Sequence, residues 1–227
     1  MIKTHPRALA QYSSFRRFCF AVHTFAIAME TANARMPKTN RSGQAQTLDP
    51  EQLDAIMAEL SPIARAALST CRFTACRVSE GLQLNWGNIT QSHVVIPKAI
   101  TKKKMRTRSI PLNPRLAQEL ADWKIVWAKL FGREPEKTDY IFPGAKDPTT
   151  YMTRQNIDHA LRTACNKLGI EGASTHSFRR SALTAASDAG LPLRHIQELS
   201  GHSSLAVLQT YLQCSEQQKR AVAMAFG

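Results

Sequence analysis

Apolar and polar positions along the chain follow two different periods, and the change between them divides it into helices and one hairpin. Leu53, Ile56, Met57 and Leu60 recur at helical spacing behind Asp49, Pro50 and Gln52, an N-cap, a first-position proline and a polar third position. A helix is therefore predicted from about residue 50. Pro62 opens a second, in which Ile63, Ala66, Ala67 and Leu68 run toward Cys71, and a short third is expected over residues 79–84. At His93 the period shortens: Val94, Val95 and Ile96, then residues 106–112, flank a lysine-rich stretch at 101–105 as the strands of a β-hairpin would. Residues 114–131 return to helix, 140–143 read as a short strand or extended piece, and 153–168 are helical again. After Gly172, helices are predicted over about 176–189, 193–199, 205–212 and 215–226, with Asp188, Ala189 and Gly190 before Pro192 marking a stop and a restart. There is no internal repeat and no low-complexity tract. The expected fold class is mainly α with a small antiparallel β-sheet (α+β).

The first 47 residues differ in character. They hold seven Lys or Arg against one acid, Glu30, for a local charge of +6. Residues 15–30 have the pattern of an amphipathic helix and 36–43 read as a polar linker, so the expected organisation is a basic arm at 1–47 and a main domain at 48–227. Arg16 and Arg17 before an apolar run, with Ala32-Asn33-Ala34 after it, imitate an export signal. His23 inside that run and the late position of the arginine pair argue against export, and a cytoplasmic location is expected. No run of 18 apolar residues exists, so no membrane-spanning helix is predicted.

Charge narrows the class of partner. Over 227 residues, 30 Lys plus Arg face 17 Asp plus Glu, a net +13, while 43% of positions are hydrophobic. A chain this basic that can still bury a core points to a polyanion, nucleic acid or a membrane surface, and excludes an acidic disordered chain or a collagen-like fibre. Cysteines at 19, 71, 76, 165 and 214 form an odd set without a Cys-x-x-Cys pair or clustering with His, which favours reduced thiols over a disulfide or zinc framework.

The chemistry on offer is arginine, lysine, histidine and tyrosine, with no carboxylate cluster, phosphate-cradling glycine loop or metal-ligand set. Such an inventory suits a phosphodiester, whose transition state needs its nonbridging oxygens neutralised, a nucleophile in line and a proton donor for the leaving oxygen. His176 and Arg179 are three apart and share a helical face. The spacing alone is weak, because His159 and Arg162 repeat it opposite the apolar stripe of Ile157, Leu161 and Leu168, where a solvated face is the expected reading.

The surrounding residues add a resemblance. Phe73-Thr74-Ala75-Cys76-Arg77-Val78-Ser79-Glu80, His176-Ser177-Phe178-Arg179-Arg180, and Ser200-Gly201-His202 followed by Tyr211 nine residues after the histidine resemble, in order and spacing, the boxes of the tyrosine recombinase, or phage integrase, family. Lys103, in the predicted hairpin ahead of Arg108-Ser109-Ile110-Pro111-Leu112, resembles that family's lysine hairpin. The resemblance spans residues 48–213. It implies the family's catalytic-domain fold and a catalytic set of Arg77, Lys103, His176, Arg179, His202 and Tyr211, with Tyr211 attacking a scissile phosphate to leave a 3′-phosphotyrosyl link. Arg77 and Arg179 would fork onto the phosphate, His176 and His202 would bond it and assist proton transfer, and Lys103 would protonate the leaving 5′ oxygen. Lys102 and Lys104 are rivals for that last role and, with Arg106 and Arg180, candidates for DNA contact, Arg180 against the DNA backbone or simply on the surface. Glu80 would orient Arg77.

Other expectations come from the same resemblance. Bond energy is kept in the covalent link, so no cofactor, ATP or metal is implied. The implied partner is a double-stranded recombination site bound by two protomers and synapsed as a homotetramer, with integration, excision, inversion or resolution of a mobile element as the outcome. The bland alternatives are a packed core tyrosine at 211, surface ion pairs for the arginines and a structural histidine at 202; for the whole chain, the alternative is a noncatalytic DNA-binding regulator. Two departures stand out. Ala75 replaces the family's usual glycine, a change a helix would tolerate, and fewer than 50 residues precede Leu48, so the chain is similar to short members lacking a full core-binding domain.

The basic arm generates a prediction. Contacts between such an arm and phosphates release counterions, so deleting residues 2–44 should flatten the slope of log affinity against log salt by roughly one unit per lost contact, while cleavage at saturating DNA survives. A salt titration of full-length and shortened protein on one duplex measures it; equal slopes would remove the arm from the interface.

Overall fold

Asp49 starts the first described helix by reciprocal capping: its side chain accepts the Gln52 N–H at 2.7 Å and the Gln52 side chain accepts the Asp49 N–H at 3.2 Å. The computed structural model describes residues 45–226 apart from 102–105, 146 and 213–215. The chain separates into two units, Met1–Gln44 and Ala45–Gly227, and every element named belongs to the second. The helix expected over 15–30 lies outside the described residues, as do Lys102, Lys103 and Lys104.

Helix α1 (Pro50–Ala58) is followed by α2 (Pro62–Thr74), and both begin at the prolines that the sequence marks. Helix α2 is the central element. Ala64, Ala66, Ala67, Leu68 and Cys71 are all buried, and its small side chains let it pack against α1 and three further helices, α4 (Pro114–Phe131), α5 (Arg154–Leu168) and α6 (Thr175–Asp188). It ends at Ala75, whose φ of 49° is left-handed. Ala75 is thus not a helical position but the C-cap, where its Cβ carries a steric cost that a glycine would avoid. A short helix, α3 (Val78–Gly81), comes next.

The predicted hairpin is present as β1 (His93–Ile96) and β2 (Arg108–Pro111), antiparallel, with Val94 opposite Ile110 and Ile96 opposite Arg108. Val94, Ile96 and Ile110 are buried, and so is Arg108, because strand alternation puts it on the same inward face. Helix α4 has the predicted ends. Its Trp123 and Trp127 indoles donate to the carbonyls of Ile141 (2.6 Å) and Tyr140 (3.2 Å), holding the buried Ile141–Phe142 pair in an extended path.

Two expectations need correction. A second antiparallel pair joins β3 (Pro143–Gly144) to β4 (Asp147–Tyr151). Strand β4 has no buried residue, so no hydrophobic alternation exists to announce it. A Cβ on Gly144 would stand 2.6 Å from Thr150 Oγ1, so a side chain there would require that hydroxyl to shift. The helix expected over 205–212 stops early: after α7 (Leu193–Ser200), α8 is Leu205–Gln209. The N–H groups of Tyr211 and Leu212 donate three residues back, to Leu208 and Gln209, so the chain tightens into a turn instead of continuing the α pattern. Helix α9 (Glu216–Met224) ends the described chain.

Two apolar clusters result. The larger is built on α2 and contains Ile56, Leu68, Leu84, Trp127 and Phe178; the smaller gathers Ala75, Leu183, Ile196 and Leu208, with Tyr211 packed against it. Ala75 and α6 supply residues where the two meet. Among the described residues no helix is long and apolar enough to cross a membrane.

Leu68→Ala should lower unfolding stability by about 2–5 kcal/mol, since the methyl groups lost lie where four helices meet and cannot be replaced by collapse. Ile125→Ser on the exposed face of α4 should change it by less than about 0.5 kcal/mol. Urea unfolding of both variants tests this; equal effects would contradict the placement of the core.

Candidate active site

Ala75 turns the chain out of α2 and delivers Arg77 to the N-cap of α3. Three residues on, Glu80 reaches back: its carboxylate accepts the Arg77 backbone N–H at 3.1 Å and Arg77 Nη1 at 2.9 Å. The same carboxylate accepts Nη2 of Arg108 at 2.5 Å from β2. Glu80 is only 1% exposed, and burial pushes its carboxyl upward. The Arg108 charge and the bonds from Arg77 outweigh burial and hold it below the usual glutamate value, so Glu80 is ionised.

Arg179, 1% exposed, lies in the second turn of α6 and ties three segments together. Nη1 donates to the carbonyl of Ala75 and Nη2 to the carbonyl of Ser200 at 3.0 Å, and Nη2 also stands close to both ring nitrogens of His202, 3.0 Å from Nε2 and 3.4 Å from Nδ1. Its Nε–H has no partner among the described residues. Burial and the nearby Arg77 charge lower its pKa to about 10, which leaves it a cation at neutral pH. His176, one turn earlier on the same helix, is half-buried.

Gly201 ends α7 in the left-handed conformation, φ 70°, and releases His202 inward to 4% exposure. Ser200 Oγ donates to the Gln197 carbonyl at 3.3 Å, which leaves it to accept from an Nδ1–H of His202 at 2.7 Å. Desolvation, then the charges of Arg179, Arg77 and Arg108, depress the His202 pKa to about 3, so the ring is neutral. Tyr211 closes the group. Its ring centroid is 4.7 Å from that of His202, and the Arg179 guanidinium carbon stands 5.7 Å from it.

A cavity of about 370 Å³ opens beside these residues, lined by Arg77, Glu80, Arg106, Arg108, Arg194 and His202 among others. Four arginines against Glu80 and Glu198 make its wall cationic, and it suits an anion. Thr101 and Arg106, on either side of the lysine stretch, both line it. Among the described residues no three His, Cys, Asp or Glu side chains gather as a metal site would require.

The fold therefore joins Arg77, Arg179, His202 and Tyr211 through direct contacts or through Glu80, and places His176 on the same helix as Arg179. Arg106 is at the exposed rim, donating to the Glu198 carbonyl at 2.9 Å. Arg180 is a correction: expected at the surface or against DNA, it is buried and donates to the Ala45 carbonyl at 3.0 Å, anchoring the start of the described chain. His159 and Arg162 are exposed on α5, as expected of a solvated face. Arg108 has no role in the reading of the sequence alone, although a signal exists, since a charge at an inward strand position must find a buried partner.

A model of the phage integrase family matches residues 46–218, most of the chain and every box in the site. The chain is a member of the phage integrase family. It is similar to the tyrosine recombinase XerC of Bifidobacterium longum (strain DJO10A), 27% identical over 234 residues and 99% of this chain, and to the crystal structure of the XerA recombinase, with a TM-score of 0.64 at 18% identity over 79% of this chain. The XerH site-specific recombinase in its post-cleavage complex with a palindromic difH substrate superposes with a TM-score of 0.64 at 23% identity over 82% of this chain. The two structures show that the family's helical catalytic fold, with its small antiparallel sheets, is shared. The chain spans 64%, 63% and 54% of these three relatives' lengths.

In this family member the neutral His202 makes stability depend on pH. Its folded pKa, about 3, is below its ordinary 6.5, so the unfolded chain binds the proton first, and the stability His202 contributes is complete above pH 6.5 and declines as pH falls toward 3. The gap in unfolding free energy between the parent and His202→Gln should shrink between pH 7.5 and 4.5, measured by urea titration at each pH. A gap independent of pH would mean that His202 is not held neutral.

Proposed function

We propose that this chain is a site-specific DNA strand transferase that cleaves and rejoins duplex DNA through a 3′-phosphotyrosyl intermediate. The observation that carries the reading is the packing of Tyr211 against the buried Arg179 and His202, with His202 and Arg77 both lining a cationic cavity. A tyrosine hydroxyl is a weak nucleophile at its usual pKa near 10, and surrounding cations favour its phenolate character.

In this reading a scissile phosphate enters the cavity and its nonbridging oxygens take bonds from Arg77 and Arg179, whose planar forks suit that geometry. His202, neutral, and His176 add hydrogen bonds to the phosphate and help to move the proton. Tyr211 Oη attacks phosphorus, the bond to the 5′ oxygen breaks, and a lysine of the hairpin, Lys103 with Lys102 and Lys104 as rivals, protonates the departing oxygen. A 5′ hydroxyl from a partner strand then attacks the phosphotyrosyl phosphorus, and the tyrosine leaves. The relative XerH is known bound to its difH substrate, which supports a duplex recombination site as the partner here. Two protomers per site and a homotetrameric synapse, and an arm at 1–47 that adds DNA affinity, belong to the same proposal.

Tyr211→Phe should abolish covalent attachment to a nicked suicide duplex made from the DNA flanking the coding sequence, with DNA binding nearly unchanged. Arg77→Ala and Arg179→Ala should each slow attachment by about a hundredfold or more, roughly 3 kcal/mol, the effect of losing one preorganised donor. A protease-sensitive adduct formed by Tyr211→Phe would overturn the nucleophile assignment. Failure of the parent protein to form any adduct, with DNA binding intact, would favour the noncatalytic regulator.

A further inference from the structure

We propose that Arg108 is the positioning residue of this active site, holding Glu80 in place behind Arg77 and at the same time fixing the turn that presents His202. The inference rests on the strand-transferase reading, but concerns a residue to which that reading gives no bond to the phosphate.

Arg108 is buried, and each end of its guanidinium has a separate task. Nη2 makes the 2.5 Å ion pair with Glu80 Oε2, and Nη1 donates to the Leu199 carbonyl at 3.1 Å, in the last turn of α7. That carbonyl belongs to the helix end whose own backbone partners have run out, so the guanidinium acts as its cap. Two residues on, Gly201 lies directly over the arginine: a Cβ there would stand 2.9 Å from Arg108 Cδ and Nε and 3.0 Å from Cζ. The glycine before His202 is therefore required twice, once by its φ of 70° and once by the close approach of Arg108.

The consequence is a mechanical link between the hairpin and both halves of the site. Arg108 lies on β2, the strand after the lysine stretch. Through Glu80 it sets Arg77, and through the carbonyl of Leu199 and the contact under Gly201 it sets the turn that carries His202. Glu80 is also faced by Arg179 from α6, His202 from the turn, and the thiols of Cys71 and Cys76 from the end of α2. The Arg108 charge is the largest single effect opposing burial at Glu80, followed by the two bonds and the charge of Arg77. Removing its charge while Glu80 stays buried raises the pH at which the carboxylate takes up a proton, and a protonated Glu80 no longer holds Arg77 as an ion pair.

The test uses the full chain with 13C-carboxyl-labelled glutamate, the Glu80 signal being assigned by its loss in Glu80→Gln. In Arg108→Met the Glu80 titration midpoint should rise by about one unit or more. Attachment to saturating suicide duplex should slow by about tenfold or more with DNA affinity within about threefold, and the acid limb of the pH–rate profile should move to higher pH. Arg108→Lys keeps the charge without the fork, so Glu80 should titrate as in the parent and the rate should fall only severalfold. A Glu80 titration and rate unchanged in Arg108→Met would overturn the proposal. If that variant does not fold, Arg108→Lys decides alone, because a parental rate in it would show that the two-ended bond is not needed. A parent protein that forms no adduct fails the strand-transferase reading, while the Glu80 titration still decides whether Arg108 governs the carboxylate.

Discussion

One buried carboxylate makes the site possible. Arg77, Arg108 and Arg179 converge in a region largely removed from water, and like charges that close would drive one another apart or lose their protons. Glu80 gives two of them a common anion, with one oxygen bonded to Arg77 and the other to Arg108, and its field favours the charged form of the third, Arg179. A lone buried carboxylate would itself be costly; sharing it among arginines with every bond direct is what makes its burial tolerable. The cationic cavity is thus a surplus of charge around a neutralised centre.

Around that centre the backbone does much of the positioning. Arg179 is held by the carbonyls of Ala75 and Ser200, both at helix ends, where acceptors are left over by the helical pattern. Three left-handed or N-cap positions, Ala75, Gly201 and Arg77, stand at the ends of α2, α7 and α3 from which the site residues are presented. The site residues gather near helix ends, while helix interiors together with the buried strand and loop residues Val94, Ile96, Ile110, Ile141 and Phe142 supply the apolar clusters.

The sequence made the helical scaffold legible because capping residues and prolines mark its boundaries. Asp49, Pro50 and Pro62 stand where helices begin, and α4 matches its predicted limits at both ends. It missed β3 and β4 because strand recognition depends on alternating burial, and β4 has no buried residue. The leucines near Tyr211 suggest a helix through it; only the hydrogen bonds reveal that α8 has closed into a turn before reaching it. The members of the site were legible from the spaced boxes, whereas their connections were not: nothing local to Arg108 shows that its partners are 28 and 91 residues away. Ala75 illustrates the same limit, since its left-handed conformation is imposed by the need to bring Arg77 back toward Glu80 beyond the helix end.

The short helix before Tyr211 gives the site an uneven stiffness. Arg179 cannot shift without disturbing bonds to three segments, but α8 has five residues and one buried side chain, Leu208. Tyr211 and Leu212 pack against the same small cluster, so this segment is held by Leu208, by those two side chains and by the ring contacts of Tyr211 with His202 and Arg179. Arg179 and His202 are thus pinned from several sides, whereas Tyr211 owes its place to one leucine, its own ring contacts and a turn closed by two backbone bonds.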